Sequence, residues 1–509
     1  MANITRSSKA LKNIERTLDA ARSYAEWLAA AAEHDRLSGA ADWRNDETTD
    51  LLHIAEIRKS IQAVRQLRES GATWPLTKKL QEVLFRHQGE FLHPELYHFA
   101  KTGTKSIVSE FLDEVEACVH YLIALEVDGV GDDYKLEQLK RIGRVYGRPA
   151  LLLSGGGTLG IYHFGVVKAL FEQNLLPRTI SGSSMGSIIA AWACCHNDAE
   201  LRHYFAHPQE VPLDALRTLP FKEMFDQRKI FDQQWTLGYL QRGMPDLTFA
   251  ESMQHSRRIL NISVSPHNTL QSARLLNFLS SPEALVHHAA LASCAIPGVF
   301  DPVQLMARQR GVVVPWMENE FWVDGSVNND LPFAQLAQML NINHFITSQA
   351  NPHVVPFLSS SGEQRGGLAA IARMGGNMIL EGSTQILDVA RKHAPYKPVR
   401  AALRTAHAVS SQRYAGSDMH IQMPLRPHLY ARVMTNPNFA QFGEYIRLGE
   451  QATWPRIPMI RDRTRISRLF GTYIGVVMRR LADAAAPKKR RKGKASAAIP
   501  PLPATSRRR

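Results

Sequence analysis

The chain has 509 residues, 44% of them hydrophobic, with 61 Lys+Arg against 47 Asp+Glu and a formal net charge of +14. That length allows more than one domain, four cysteines are too few for a disulfide framework, and no apolar run is long enough to span a membrane as a helix. Nine of the Lys/Arg residues and no acid fall between Lys488 and Arg509, so the rest of the chain carries only about +5. This basic tail lacks interleaved aromatics and a recognition motif, which excludes specific nucleic-acid binding.

In chain order, residues 1–20 read as a flexible polar leader without the charged-then-apolar pattern of a signal peptide. Residues 21–130 read as a mainly helical N-terminal domain, with Leu51, Ile54, Ile57, Ile61 and Val64 forming a stripe and Trp74-Pro75 a break. Residues 145–350 read as the core of a catalytic α/β domain, with strands expected at 148–154, 178–181, 259–264, 321–324 and 344–348. Residues 351–481 form a C-terminal part. Its 355–415 stretch reads as helices, a candidate lid in which Met374, Met378 and Ile379 could line an acyl pocket. A late strand at 419–423 follows, then a helix with Ile466, Leu469, Phe470, Tyr473, Ile474, Val477 and Leu481 at helical spacing. Residues 482–509 read as a disordered basic tail. An apolar helix face beside a polybasic run describes a two-signal anchor for an anionic membrane surface, and equally a helix packed on the core with a solvated tail.

Three motifs carry the chemistry. An apolar run, Ala150 to Leu153, ends in Ser154-Gly155-Gly156-Gly157-Thr158-Leu159-Gly160 and continues into a helix-spaced segment from Ile161. Strand, glycine loop and helix also describe a dinucleotide or phosphate loop. The next strand, however, ends in Ser181-Gly182 rather than in an acidic residue, and no Gly-Lys-Ser/Thr is present. No cofactor is therefore expected, and no His/Cys metal spacing stands out. The amides of Gly155, Gly156, Gly157, Thr158 and Gly160 read instead as an oxyanion hole, where one donor contributes about 3–4 kcal/mol in hydrolases. Gly182-Ser183-Ser184-Met185-Gly186 is the chain's one Gly-x-Ser-x-Gly, placing Ser184 on a strained strand-to-helix turn with Gly182 and Gly186 at the elbow.

A serine nucleophile needs a base. His344, His353, His393, His407, His420 and His428 lie downstream but none sits in a distinctive motif, and His163 reads as a structural helix residue. Phe321-Trp322-Val323-Asp324-Gly325 puts a carboxylate at the end of an apolar strand, with Gly325 free to turn the backbone away. Asp324 is the expected base; Asn328, Asn329 and Asp330 read as the following turn, with Asp330 as the alternative.

With these motifs the chain resembles the patatin-like phospholipases. The resemblance extends to Ala292-Ser293-Cys294-Ala295-Ile296-Pro297-Gly298-Val299-Phe300. It is closest to the storage-lipid triacylglycerol lipase branch, through Tyr162-His163, Leu275-Leu276-Asn277-Phe278, the segment from Ser348 to Pro356, and Thr453-Trp454-Pro455-Arg456-Ile457. It spans about residues 15–475. One departure is Leu159, where many members carry Arg or Lys; without that cation a preference for phosphate head groups loses its support.

The resemblance implies a three-layer α/β/α sandwich with a helical N-terminal domain and catalysis by a Ser184–Asp324 dyad through an acyl-enzyme. It implies a lipid substrate, triacylglycerol or glycerophospholipid, met at a membrane or lipid-droplet surface. The few cysteines and the lack of a signal-peptide pattern or spanning apolar run lead to the expectation of a cytoplasmic protein. A transacylase using the same serine and a non-catalytic lipid-binding module are the alternatives.

Overall fold

The computed structural model describes residues 2–91, 93–124, 131–227, 229–267, 273–325, 331–351, 419–424 and 426–485. The expected lid and its Met374, Met378 and Ile379, the turn at Asn328–Asp330, and the tail from residue 486 lie outside them.

The strands are β1 (Arg148–Leu153), β2 (Thr179–Gly182), β3 (Ile259–Pro266), β4 (Arg274–Leu276), β5 (Met306–Gln309), β6 (Val312–Pro315), β7 (Trp322–Asp324), β8 (Ile342–Gln349) and β9 (Met419–Gln422). Seven form one sheet in the order β4-β3-β2-β1-β8-β9, with β7 paired to β3; β5 and β6 make a separate hairpin. β1, β2, β3, β8 and β9 run parallel, and β4 and β7 run antiparallel to β3. The late strand expected from the sequence is β9, paired with β8 and last in the order among the described residues.

A parallel strand covered on both faces needs an unbroken apolar run, because successive side chains point to opposite layers. β1 meets that need. Leu151 and Leu153 enter one core with the helices Tyr162–Glu172, Met185–Cys195, Val286–Ser293 and Phe439–Thr453, while Ala150 and Leu152 enter another with Leu336 and Leu340 of helix Phe333–Leu340. The result is an α/β/α sandwich. From β1 the chain winds through β2 to β3 on one side, whereas β8 lies on the other, so the topological switch falls between β1 and β8. In open parallel sheets the crevice for ligands opens there, at the carboxyl ends of the strands. The glycine loop begins at that end of β1.

The regular elements described up to Tyr146 are all helices. The stretch read as a flexible leader is the helix Ala2–Ala20, with Leu18 buried and the Gln451 amide donating to the carbonyls of Asp19 (2.8 Å) and Ala21 (3.3 Å). Its polar composition hid a short apolar edge that docks on the catalytic core. The break expected at Trp74-Pro75 comes a few residues earlier, at residues 70–72 between helices Ile54–Glu69 and Thr73–Phe91. Pro75 sits in the first turn of the second helix, where a missing N–H leaves no helical bond unmade.

A second core joins the helices between Leu52 and Tyr146 to the helix Ile457–Ala485. Ile57, Ile61, Val64, Phe111, Val115 and their neighbours close over Ile466, Leu469, Phe470, Tyr473 and Val477 of the last helix, Ile457–Ala485. The apolar stripe expected as half of a membrane anchor is thus covered by the N-terminal helices. Charged contacts line the same interface: Arg465 pairs with Asp113 (2.8 Å) and Glu116, and Tyr97 donates to Asp462 at 3.1 Å. Burial pushes the Asp462 carboxyl up to about 6, against the Tyr97 hydrogen bond. No helix among the described residues is long and apolar enough to cross a membrane.

Candidate active site

The glycine loop runs between two other backbones. Gly157 has φ +55, and a Cβ there would stand 2.4 Å from the Val433 carbonyl oxygen, so only glycine fits. A Cβ on Gly156 would meet the Ala350 carbonyl oxygen at 2.9 Å, just past the end of β8. Ser154 fixes the entry to the loop, accepting from the Ala350 amide and donating to the Gly155 carbonyl, both at 2.9 Å. Thr158 gives its amide to the Val433 carbonyl (2.9 Å) and its hydroxyl to the Thr435 carbonyl (2.8 Å), so it anchors the loop rather than offering a donor. Gly157 opens the short 3-10 helix Gly157–Ile161, so its amide points off that helix's free end. Gly160 provides close packing against Met185, whose Cγ would be 2.7 Å from an added Cβ.

Ser184 has φ +50 and ψ −130, a sparsely populated conformation for a residue with a side chain and one that costs of order 1–3 kcal/mol. It is 6% exposed and caps helix Met185–Cys195. Its carbonyl accepts from the Ser187 amide (2.8 Å) and hydroxyl (2.6 Å), and its own amide donates to Ser293 Oγ at 3.0 Å. Gly182 and Gly186 let the elbow close: a Cβ on Gly182 would lie 2.2 Å from the Gly186 carbonyl oxygen.

Asp324 reaches the same place through β3. Ile262 pairs with Gly182 of β2 and with Leu276 of β4, and Val264 pairs with Asp324 of β7 and with Arg274 of β4. A strand has two edges, so β2 and β7 share the edge opposite β4. Residues directly opposed on a ladder point to one face. Asp324 therefore faces the layer that Ile262 and Val264 enter, which contains the helix behind Ser184. The Asp324 amide donates to the Ala295 carbonyl at 3.1 Å, and Gly325 turns the chain away where a Cβ would meet the Ser263 carbonyl oxygen at 2.2 Å. The Cys294 thiol feels both groups. Burial and the Asp324 charge push its thiol pKa up, against hydrogen bonding from Ser187 and Ser184, so it remains a neutral thiol.

An apolar cavity of about 60 Å³ opens beside the elbow. Met185, Ile188, Ile189 and Trp192, at helical spacing on one face of the nucleophile helix, form one wall, and Leu216 and Tyr239 face them.

Comparison with known proteins identifies the frame around this site. Residues 151–337 match the family model described as patatin-like phospholipase, and residues 4–144 match a domain of unknown function, DUF3336. Triacylglycerol lipase ptl3 of Schizosaccharomyces pombe is 30% identical over 90% of this chain and 96% of its own length. This chain belongs to the patatin-like phospholipase family. Triacylglycerol lipase 4 of Saccharomyces cerevisiae and triacylglycerol lipase SDP1L of Arabidopsis thaliana are also 30% identical, over 87% and 92% of this chain. The chain spans 50% and 59% of their respective lengths.

Of the histidines weighed in the sequence, His163, His344, His420 and His428 are among the described residues. His163 is fully buried and held between the Ser154 carbonyl (Nε2, 3.0 Å) and Ser348 Oγ (Nδ1, 2.7 Å). A carbonyl only accepts, so Nε2 carries the proton and Nδ1 receives the serine hydroxyl. Burial lowers its pKa to about 4, against the Ser154 hydrogen bond, and the ring is neutral. His344 bonds the Tyr146 carbonyl at 3.0 Å, and His420 meets Thr347 Oγ1 at 2.6 Å. His428 is exposed beside Glu444; His353, His393 and His407 lie outside the described residues.

Two groupings escaped the sequence reading. His203, His207 and Glu210 bring ligand atoms within 4.8 Å of one another, but all three are exposed and His203 already bonds Glu210 at 2.8 Å, as in an ordinary surface ion pair. Ser293 and Ala295, which hold the backbones of Ser184 and Asp324, lie inside the Ala292–Phe300 segment singled out from the sequence. Their roles depend on partners more than twenty residues away in the chain.

Proposed function

We propose that the chain is a serine lipid acyl hydrolase that cleaves carboxylic esters of triacylglycerol or glycerophospholipid in lipid breakdown. The observation carrying this reading is the shared edge of β3, which sets Asp324 beyond the elbow that bears Ser184. Asp324 takes the Ser184 hydroxyl proton as Oγ bonds to the ester carbonyl carbon. Developing charge on the carbonyl oxygen is met by glycine-loop amides, Gly156 and Gly157 foremost, and by the positive end of helix Met185–Cys195. The C–O bond to the glycerol then breaks, and its oxygen leaves with the proton from Asp324. In the second half a water gives its proton to Asp324 and attacks the acyl-enzyme, and Ser184 leaves with that proton restored.

Two features support a lipid ester. The cavity beside the elbow is almost wholly apolar, suited to an acyl chain. Leu159 is fully buried in the apolar core, so this position brings no cation to the loop, which favours neutral glycerides. We place the enzyme in the cytoplasm, acting peripherally on a membrane or lipid-droplet surface, with the basic tail contacting anionic lipid.

Fatty-acid release from parallel triacylglycerol and phospholipid emulsions tests this, with wild type beside Ser184→Ala. Release from one or both that vanishes in the variant is expected. Acyl transfer to a glyceride acceptor without release would make the chain a transacylase, and binding without either would make it a lipid-binding module.

A further inference from the structure

We infer that Ser293 is a positioning residue for the nucleophile, and that the span Ser293–Ala295 splints Ser184 to Asp324. The inference rests on the dyad proposed above.

The strained backbone of Ser184 must be held by bonds that the turn itself cannot make. The Ser184 amide donates to Ser293 Oγ at 3.0 Å, and Ser293 Oγ lies 2.8 Å from the Ser263 carbonyl oxygen. A carbonyl only accepts, so the Ser293 proton goes to Ser263, leaving a lone pair aimed at the Ser184 N–H. Ser293 is fully buried, and each of these bonds replaces one that water cannot supply.

Ser263 is the β3 residue between Ile262, which pairs with Gly182, and Val264, which pairs with Asp324. It therefore occupies the gap where β2 has turned off and β7 has not begun. Its carbonyl points toward Gly325, the residue after the base, where an added Cβ would lie 2.2 Å away. Two residues beyond Ser293, the Ala295 carbonyl receives the Asp324 amide at 3.1 Å. One short span at the end of helix Val286–Ser293 thus bonds to nucleophile, central strand and base. The same bond gives the Ser184 amide a fixed partner, leaving oxyanion binding to the glycine loop.

The test compares Ser293→Thr, which keeps the hydroxyl, with Ser293→Val, which matches threonine in shape without it. Active sites are titrated with a fluorophosphonate probe, then kcat and KM are measured per titrated site on a p-nitrophenyl ester, with Ser184→Ala and Asp324→Asn in parallel. The expected result is a kcat per site lower by about 10- to 100-fold in Ser293→Val, an unchanged KM, and a rate near wild type in Ser293→Thr. Equal rates per site in the two variants, with only the number of titratable sites reduced, would make Ser293 merely structural and overturn the inference. Should Ser293→Val not fold, Ser293→Ala replaces it in the same titration. Retained turnover in Ser184→Ala or Asp324→Asn would instead remove the dyad on which the splint depends.

Discussion

Gly182 and Asp324 lie on one edge of a single strand, opposite Ile262 and Val264, two residues apart on β3. At about 3.3 Å per residue, that spacing sets the Asp324 Cα on the order of 7 Å beyond Gly182 along the edge. The chain leaves this edge after Gly182 to make the elbow, and β7 returns to it from the opposite direction. More than 130 residues separate Ser184 from Asp324 in the sequence, and one shared neighbour brings them to the same end of the sheet.

Removing the charge at position 324 tests the base directly. Asp324→Asn keeps the size of the side chain and the backbone bond to Ala295, so the fold should persist with little change in melting temperature. General-base catalysis contributes about 10²- to 10⁴-fold, and kcat should fall by that factor with KM nearly constant. Near-normal turnover in this variant, beside a dead alanine variant of a downstream histidine, would replace the dyad with a triad.

The cavity wall makes a claim about chain length. Ile189→Trp should fill the cavity that Ile188, Ile189 and Trp192 border. Excluding three or four methylenes, at about 0.8 kcal/mol each, lowers kcat/KM for a long-chain p-nitrophenyl ester by roughly 50- to 200-fold. The butyrate ester should change by less than about threefold on the same scale. An equal drop for both esters would mean that the acyl chain lies elsewhere.

Much of this site was legible because its parts are local. Gly-Gly-Gly, Gly-x-Ser-x-Gly and Asp-Gly each encode a backbone turn within a few residues, and composition alone marks the strands that precede them. What was not legible depends on pairing between distant segments. Nothing in Trp322-Val323-Asp324 says that it joins β3 rather than extending the sheet elsewhere, and nothing in Ser293 names Ser184 as its partner. Thr158 reads as a loop donor until the Val433 carbonyl is found opposite its amide. The last helix shows the same limit. Helical spacing of Ile466, Leu469, Phe470, Tyr473 and Val477 fixes an apolar stripe, but a stripe does not say what covers it, and here the N-terminal helices do.

That covering has an energetic consequence. Phe470 is 2% exposed between the last helix and the N-terminal helices. Phe470→Ala removes its burial and leaves a cavity, a change that typically costs about 3–5 kcal/mol. Met478, on the same helix, is half exposed. Met478→Ala should stay within about 0.5 kcal/mol of wild type. Urea denaturation followed by helical circular dichroism measures both, and comparable midpoints for the two variants would show that the second core does not stabilise the fold.

Acid should expose the neutral histidine behind the glycine loop. His163 has a folded pKa lowered by burial from 6.5 to about 4, so unfolding in that interval takes up a proton. For a depressed histidine the stabilisation is present above the unfolded value and is lost as pH falls toward the folded one. Each full proton corresponds to about 1.4 kcal/mol per pH unit. His344, lowered to about 4 by burial, acts in the same direction. Asp462, raised to about 6, acts in the opposite one, since its protonation below that value relieves a buried charge. A comparison that isolates His163 is therefore needed. His163→Gln keeps a donor for the Ser154 carbonyl and an acceptor for the Ser348 hydroxyl but cannot titrate. Between pH 6.5 and 4.5 the wild type should lose stability more steeply than this variant, by up to one proton's worth of slope in chemical denaturation. Parallel slopes would mean that His163 is not held neutral in the folded protein.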